Sequence, residues 1–430
     1  MKVLMFGWEF PPHISGGLGT ACYGMTKGLL RQQAEVLFVV PKAYGDEDQR
    51  AVRLINASDV TLNFEDTEFL EFTSNFTYLE VGSNLVPYLD PEQYEQMIRE
   101  ARSDKRKNVK SVYSAKYEFS GKYGPNLMEE VSRYALVAGE IAAREHFDLI
   151  HAHDWLTYYA GIAAKKMSGK PLVIHIHATE FDRSGEQVNS LVYDIEKNGF
   201  EEADKIIAVS NFTRKVLINR YGIDPDKIVV VHNAIEPVER ADVWDTSKKV
   251  DEKIVTFLGR ITFQKGPEYF IEAARMVLSH DRNVRFVMAG SGDLLNKSIH
   301  RVAQLRIADR FHFTGFLRGE SVDKMFAMSD VFVMPSVSEP FGLVPLEAMR
   351  INVPVIVSRQ SGVSEVLKHA IKVDYWDVHG MADAIHGLLQ YSALSRMFIK
   401  YGKKEVDNLK WETAAKSIMS VYRDVLQSKS

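Results

Sequence analysis

Cysteine is almost absent: Cys22 is the only one in 430 residues. That excludes an internal disulfide and any cysteine-built zinc site, and points to a reducing compartment, hence the cytoplasm. Long hydrophobic runs are missing as well. The opening stretch VLMFGW is interrupted by Glu9 and Pro11, too short for a signal-peptide core, and nothing approaches the ~18 consecutive apolar residues of a membrane span. Neither secretion nor a transmembrane segment is expected. An excess of positive charge is lacking too. The formal net charge is −4, so no global field draws the chain to nucleic acid or anionic lipid, and partners must be sought locally.

What is present is a long chain with 46% hydrophobic residues, enough for roughly two to three domains of about 150 residues each. Short β-branched runs recur, each followed by a helical pattern: KVLMF, EVLFVV, FDLIHA, PLVIHIHA and KIIAVS, then KIVVVHN, KIVTFLG, VRFVMAG, RFHFTG, DVFVMPS and VPVIVS. Runs apolar on both faces suit a parallel sheet covered by helices on each side. The class is α/β, doubly wound, and some eleven strands predict two sheets. The break falls near residue 236, where VHNAIEPVERADVWDTSKKVDEK turns polar. Residues 41–130 are the least sheet-like part of the first half. Their stretch REARSDKRKNVKSVYSAK carries seven basic and two acidic residues and reads as a solvated helix face. At the end, Trp411, Ala415, Ile418 and Tyr422 mark an amphipathic helix.

Three local patterns carry chemistry. The first strand leads into FGWEFPPHISGGLGTACYGMTKGLL, where Leu18, Cys22, Met25 and Leu29 form one helical stripe. Gly16, Gly17 and Gly19 therefore stand at a helix N-terminus, whose amides and dipole suit phosphate. In LGRITFQKG, Arg260 and Lys265 lie between a strand end and a helix, flanked by Gly259 and Gly266. Open α/β sheets bind ligands at such ends, and two fixed cations there can bracket a diphosphate. In SEPFGLVPLEAM, Glu339 sits on the loop after a strand and Glu347 about a turn into the next helix. Phe341, Gly342 and Leu343 offer consecutive amides between them.

These stretches resemble the retaining family-four nucleotide-sugar glycosyltransferases along nearly the whole chain, and especially glycogen-synthase-like members, through WEFPPHISGGLG, HAHDW, GRITFQKG and EPFGLVPLEAM. The resemblance implies a GT-B fold, two Rossmann-like doubly wound parallel-sheet domains facing each other across a cleft. The N-terminal, acceptor-side domain is expected over 1–236 plus 412–430, and the nucleotide-sugar domain over 237–411. It further implies that Gly16, Gly17 and Gly19 approach the donor phosphates and that Arg260 and Lys265 neutralise the diphosphate. Glu339 would hold the hydroxyls of the transferred sugar and Glu347 the ribose. Gly315 and Phe316 would meet the nucleobase with Gly290 nearby, and His153 would lie against the reacting sugar, orienting it.

The implied reaction moves glucose from UDP- or ADP-glucose to an α-glucan by same-face displacement, the departing phosphate oxygen helping to take the acceptor proton. No cofactor and no metal are expected. A lipid or cell-wall acceptor is the main alternative. A GT-B nucleotide-sugar epimerase and a silent sugar-nucleotide or glucan-binding protein are more distant ones. Departures from the starch-synthase pattern, Ile14 in place of a lysine and the segment SGVSEV around Gly362 and Glu365, leave the base of the donor open.

Two other patterns imitate metal sites. His151 and His153, with His175 and His177, are i, i+2 pairs on two strands and put imidazoles on one face. An H-x-H-x-D-H hydrolase would need a spacer before the aspartate, yet Asp154 follows His153 directly and Trp155 replaces the last histidine. DED at 46–48 and DPD at 224–226 fall in turn-like segments. None of these is taken as a metal site.

Overall fold

The computed structural model describes residues 1–13, 17–47, 52–63, 114–236 and 251–428. Gly16, most of the basic stretch at 99–116 and the region just after the expected domain break lie outside the described residues. In chain order the first half contributes strands β1 Lys2–Phe6, β2 Glu35–Val40, β3 Arg53–Asn56, β4 Thr61–Asn63, β5 Ser114–Lys116, β6 Leu149–His153, β7 Leu172–Ile176, β8 Lys205–Ala208 and β9 Ile228–Val230. The second half adds β10 Lys253–Leu258, β11 Val284–Ala289, β12 Phe311–Gly315, β13 Val331–Met334, β14 Val355–Ser358 and β15 Ile371–Val373.

Seven strands form one parallel sheet in the order β3-β2-β1-β6-β7-β8-β9, and six form a second in the order β12-β11-β10-β13-β14-β15. Strands β4 and β5 make a separate antiparallel pair. Both large sheets are doubly wound, and the second has the Rossmann strand order. The expected class is therefore observed. KIVVVHN proves to be the outer strand of the first sheet, and of the strands in the two large sheets the sequence reading missed β3 and β15. Those are edge strands of three or four residues whose side chains are mostly half-buried, too short and too wet to show a periodic signal.

The strands are apolar on both faces because helices cover both. In the first domain the helix Leu127–Arg144 and the helix Trp155–Ser168 share a core with Leu4, Phe6, Ile150 and Ile174. On the opposite face the helix Gly17–Arg31 joins Val3, Met5 and Phe38. The final helix, Trp411–Gln427, returns to that same core through Trp411, Ala415, Ile418 and Tyr422. Glycine permits the approach: a Cβ on Gly24 would meet Trp411 Nε1 at 2.1 Å, and one on Gly28 the Trp411 carbonyl oxygen at 2.7 Å. The second domain centres on Phe257, Phe270, Phe286 and Phe311. Among the described residues no helix is long and apolar enough to cross a membrane.

Strand order reverses between β1 and β6 and between β10 and β13. Connections diverge there and leave a crevice at the carboxyl ends of the strands. The two crevices face one another.

Candidate active site

The cleft between the domains has a volume of about 470 Å³. From the first domain it is lined by Glu9 and Gly17 after β1, Asp154 after β6, and His177 and Ala178 after β7. The second contributes Gly259, Arg260 and Lys265 after β10, Gly290 after β11, and Phe316, Leu317 and Arg318 after β12. The segment after β13 supplies Ser336, Glu339, Phe341, Gly342, Leu343 and Glu347.

The second-domain wall is made of loops bound to one another. Gly259 N donates to Ala289 O at 3.0 Å, Ile261 N to Ser291 O at 2.8 Å, and Gly290 N to Gly315 O at 2.8 Å. Gly290 has φ 143°, and a Cβ there would stand 1.9 Å from the Gly259 carbonyl oxygen. No other residue fits that crossing. The next loop is fixed in the same way: Glu339 N donates to Gln360 O at 2.9 Å, and Gly362 N returns a bond to Glu339 O at 2.9 Å. Gly342, at φ 100°, turns the chain into the helix Val344–Arg350.

On this frame Lys265 Nζ donates to Glu339 Oε2 at 2.5 Å, and Ser336 Oγ donates to the same oxygen at 3.2 Å. Arg260 Nη2 donates to Gln264 Oε1 at 3.0 Å. Glu347 lies on the helix that follows, its carboxyl pushed upward by burial and by Asp323, with Arg350 opposing. Phe316 is 50% exposed, with the Arg318 guanidinium 4.9 Å from its ring centre.

On the first-domain wall the helix begins at Gly17, so Gly19 falls inside its first turn and is buried, while Gly17 borders the cleft. A Cβ on Gly17 would lie 3.9 Å from Leu343 of the other domain. His153 is fully buried and does not itself border the cleft. Its Nδ1 is 3.1 Å from Nε2 of His177, and the His177 ring takes the cleft-facing position. Burial pushes the His177 imidazole down to about 3, so it works as a neutral ring.

Sequence reasoning missed Asp154, His177 and the knot behind them. Asp154, at φ 58°, accepts from the amides of His177 at 2.6 Å and Ala178 at 3.3 Å. Burial pushes its carboxyl up to about 6 against the pull of Arg183. Arg183 donates to Glu180 Oε2 at 3.1 Å and to Glu196 Oε1 at 2.5 Å. Burial drives Glu196 up to about 7, again against Arg183, while Tyr221 also hydrogen-bonds it. Asp182, which closes a capping box with Thr179, accepts a hydrogen bond from Ser338 of the second domain. The one legible signal was Thr179 three residues before Asp182.

A second link between the domains lies beside the cleft. The Glu365 carboxylate accepts from the amides of Asn211 at 2.9 Å and Phe212 at 2.7 Å, at the start of the helix Asn211–Tyr221, and lies 2.9 Å from His232 Nε2.

Two Rossmann-like domains with a cleft between their facing strand ends define a GT-B architecture. Residues 93–239 match the model described as Glycosyltransferase Family 4, and residues 238–405 match Glycosyl transferases group 1. The chain belongs to the family-four glycosyltransferases. It is 28% identical over 445 residues to an uncharacterized glycosyltransferase of Methanocaldococcus jannaschii, covering 99% of both chains. It is 23% identical over 439 residues to a glycogen synthase of Mycobacterium tuberculosis, covering 98% of this chain and 94% of that one. Sucrose-phosphate synthase from Thermosynechococcus elongatus has a similar fold, with TM-score 0.71, 19% identity and 99% of both chains covered. So does HepE from Anabaena, solved in complex with UDP and glucose, with TM-score 0.66, 16% identity, and 98% of this chain and 99% of that one covered.

Proposed function

We propose that the chain transfers a glucosyl unit from a nucleotide diphosphate sugar, UDP- or ADP-glucose, to an α-glucan with retention of configuration. The observation that carries this reading is the Lys265–Glu339 pair, set beside Arg260 on loops that their own backbone bonds hold in place. A transferase of this type must hold a departing diphosphate and the sugar it leaves within reach of one another.

Arg260 and Lys265 meet the charge that develops on the diphosphate, and the amides of Phe341, Gly342 and Leu343 share it with the helix start at Gly17. Fixed dipoles and cations of this kind stabilise a leaving anion with no need of a metal ion. Glu339 takes sugar hydroxyls and Glu347 the ribose. Gly315 and Phe316, with Arg318 over the ring and Gly290 behind, frame the base. His177 faces the sugar and His153 is its positioning residue, an arrangement the burial of His153 favours over direct contact. Retaining glycosidases work with two carboxyl groups about 5–5.5 Å apart. Here the acceptor attacks on the face the diphosphate leaves, and a phosphate oxygen takes its proton.

The relative from M. tuberculosis named glycogen synthase and the Anabaena structure holding UDP and glucose support this donor and acceptor class. The test is to incubate the full chain with UDP-, ADP- and GDP-glucose in turn, with glycogen or maltooligosaccharides, and to read product length and anomeric configuration by NMR. Elongated α-linked product is expected. If neither acceptor is extended while a lipid or cell-wall acceptor is glycosylated, the glucan reading fails.

A further inference from the structure

His151 and His153 leave β6, and His175 leaves β7, onto one face of the first sheet, where they are 0%, 0% and 1% exposed. Ring centres lie 4.4 Å apart for His151 and His153, 5.4 Å for His151 and His175, and 5.3 Å for His153 and His175. One ring nitrogen from each comes within 4.8 Å of the other two.

Their hydrogen bonding is incomplete in a patterned way. His151 Nδ1 meets Tyr422 Oη at 2.5 Å, and His153 Nδ1 meets His177 Nε2 at 3.1 Å. Nε2 of both rings, and both nitrogens of His175, have no hydrogen-bond partner among the described residues. Buried polar atoms are nearly always satisfied, so four open nitrogens in one core call for an occupant. Two rings whose Nδ1 is engaged by a neighbour, with Nε2 left over, match the way metal-bound histidines are held: the second nitrogen donates to an acceptor and so fixes the lone pair of the first.

We infer that His151, His153 and His175 bind one divalent transition ion of the zinc type, structural in role, in the core behind the cleft. Imidazole ligands suit zinc, copper, nickel and cobalt rather than magnesium or calcium, which prefer oxygen. Zinc–nitrogen bonds of about 2.0–2.1 Å bring ligand nitrogens to roughly 3.3 Å, so on binding the rings draw in from the 4.8 Å within which their nitrogens lie. The fourth position is left to a water molecule. The ion would tie β6 and β7 to Tyr422 of the final helix through His151, and hold the His153 ring that orients His177.

The experiment uses the full chain, made without a histidine tag in zinc-supplemented medium, with metal measured by mass spectrometry after gel filtration. About one zinc per chain is expected. Protein refolded with cobalt should show the visible absorption of a four-coordinate ion. His175→Ala should lose the metal while keeping its far-ultraviolet circular dichroism, and His312→Ala, at an exposed position on β12, should keep it. Less than a tenth of an equivalent in the unaltered protein, with no cobalt band after refolding, overturns the proposal even if the His175 variant fails to fold. Metal that His175→Ala retains overturns it as well. Neither readout depends on transferase activity.

Discussion

On the second-domain wall of the cleft, side chains are presented by backbone that glycine lets cross itself, whereas on the first-domain wall they are held by buried titratable groups on neighbouring strands. Gly290 and Gly342 set the first kind of wall, and its charged groups sit on two continuous motifs, one with Arg260 and Lys265 and one with Glu339 and Glu347, which the Lys265–Glu339 pair joins across 74 residues. The second kind is made by Asp154, Glu196, Arg183 and the histidines, brought together only by strand register and helix docking. One wall is built to hold charge that arrives, the other to hold protons that stay.

The sharpest way to break this contrast is Lys265→Ala. On the proposed reading it removes a cation from the diphosphate, it leaves Glu339 without its partner, and loss of one such preorganised group lowers kcat by about 10²–10³-fold. Steady-state kinetics with the donor varied should show it.

Next come the two glutamates. Glu339→Gln should depress kcat by roughly ten- to a hundred-and-fifty-fold, the equivalent of a charge-assisted hydrogen bond of about 1.5–3 kcal/mol, because the sugar becomes cation-like as its bond breaks. Glu347→Gln should act mainly on the donor KM, since the ribose is unchanged in the reaction. The reverse split would remove the assignment of this loop.

Gly290→Ala tests the backbone rather than the charge. With the Gly259 carbonyl oxygen in its way, the substitution should cost about 1–3 kcal/mol, read as a lower denaturant midpoint with weaker donor binding.

The smallest effect expected is on the proton-holding wall. Glu196 is raised in the folded state to about 7 by burial, above its unfolded range. Its contribution to stability is thus fully present below the unfolded value and is lost as pH rises through about 7. Thermal unfolding at pH 5.5 and pH 8 should differ by less in Glu196→Gln than in the unaltered chain, by a few degrees. An unchanged difference would place the proton elsewhere in the knot.

The same contrast governs what the sequence could show. The place of Arg260, Lys265, Glu339 and Glu347 on the cleft was legible because each motif is continuous and lies between a strand and a helix. The two sheets were legible from apolar runs that need cover on both faces. His177 and Asp154 were not, because which residue of HAHDW or IHIHATEFD faces the cleft depends on alternation along β6 and β7 and on what lies behind them. His153 has the motif's position, yet the neighbouring strand's His177 stands in front of it. Ser338 meeting Asp182 joins residues 156 apart in the chain, a pairing that no local pattern encodes.

The return of the last helix to the first domain means that the polypeptide passes between the domains twice. Both passages come together, for Ile235 N donates to Leu409 O at 3.2 Å. A door hung on one long strap can swing and twist freely, but two straps fastened side by side leave a single axis. A cleft that opened about this shared crossing would swing Lys265 and Glu339 towards or away from Gly17. Small-angle scattering with and without donor should therefore report one coordinate of closure, and cutting the chain after 409 should release a second.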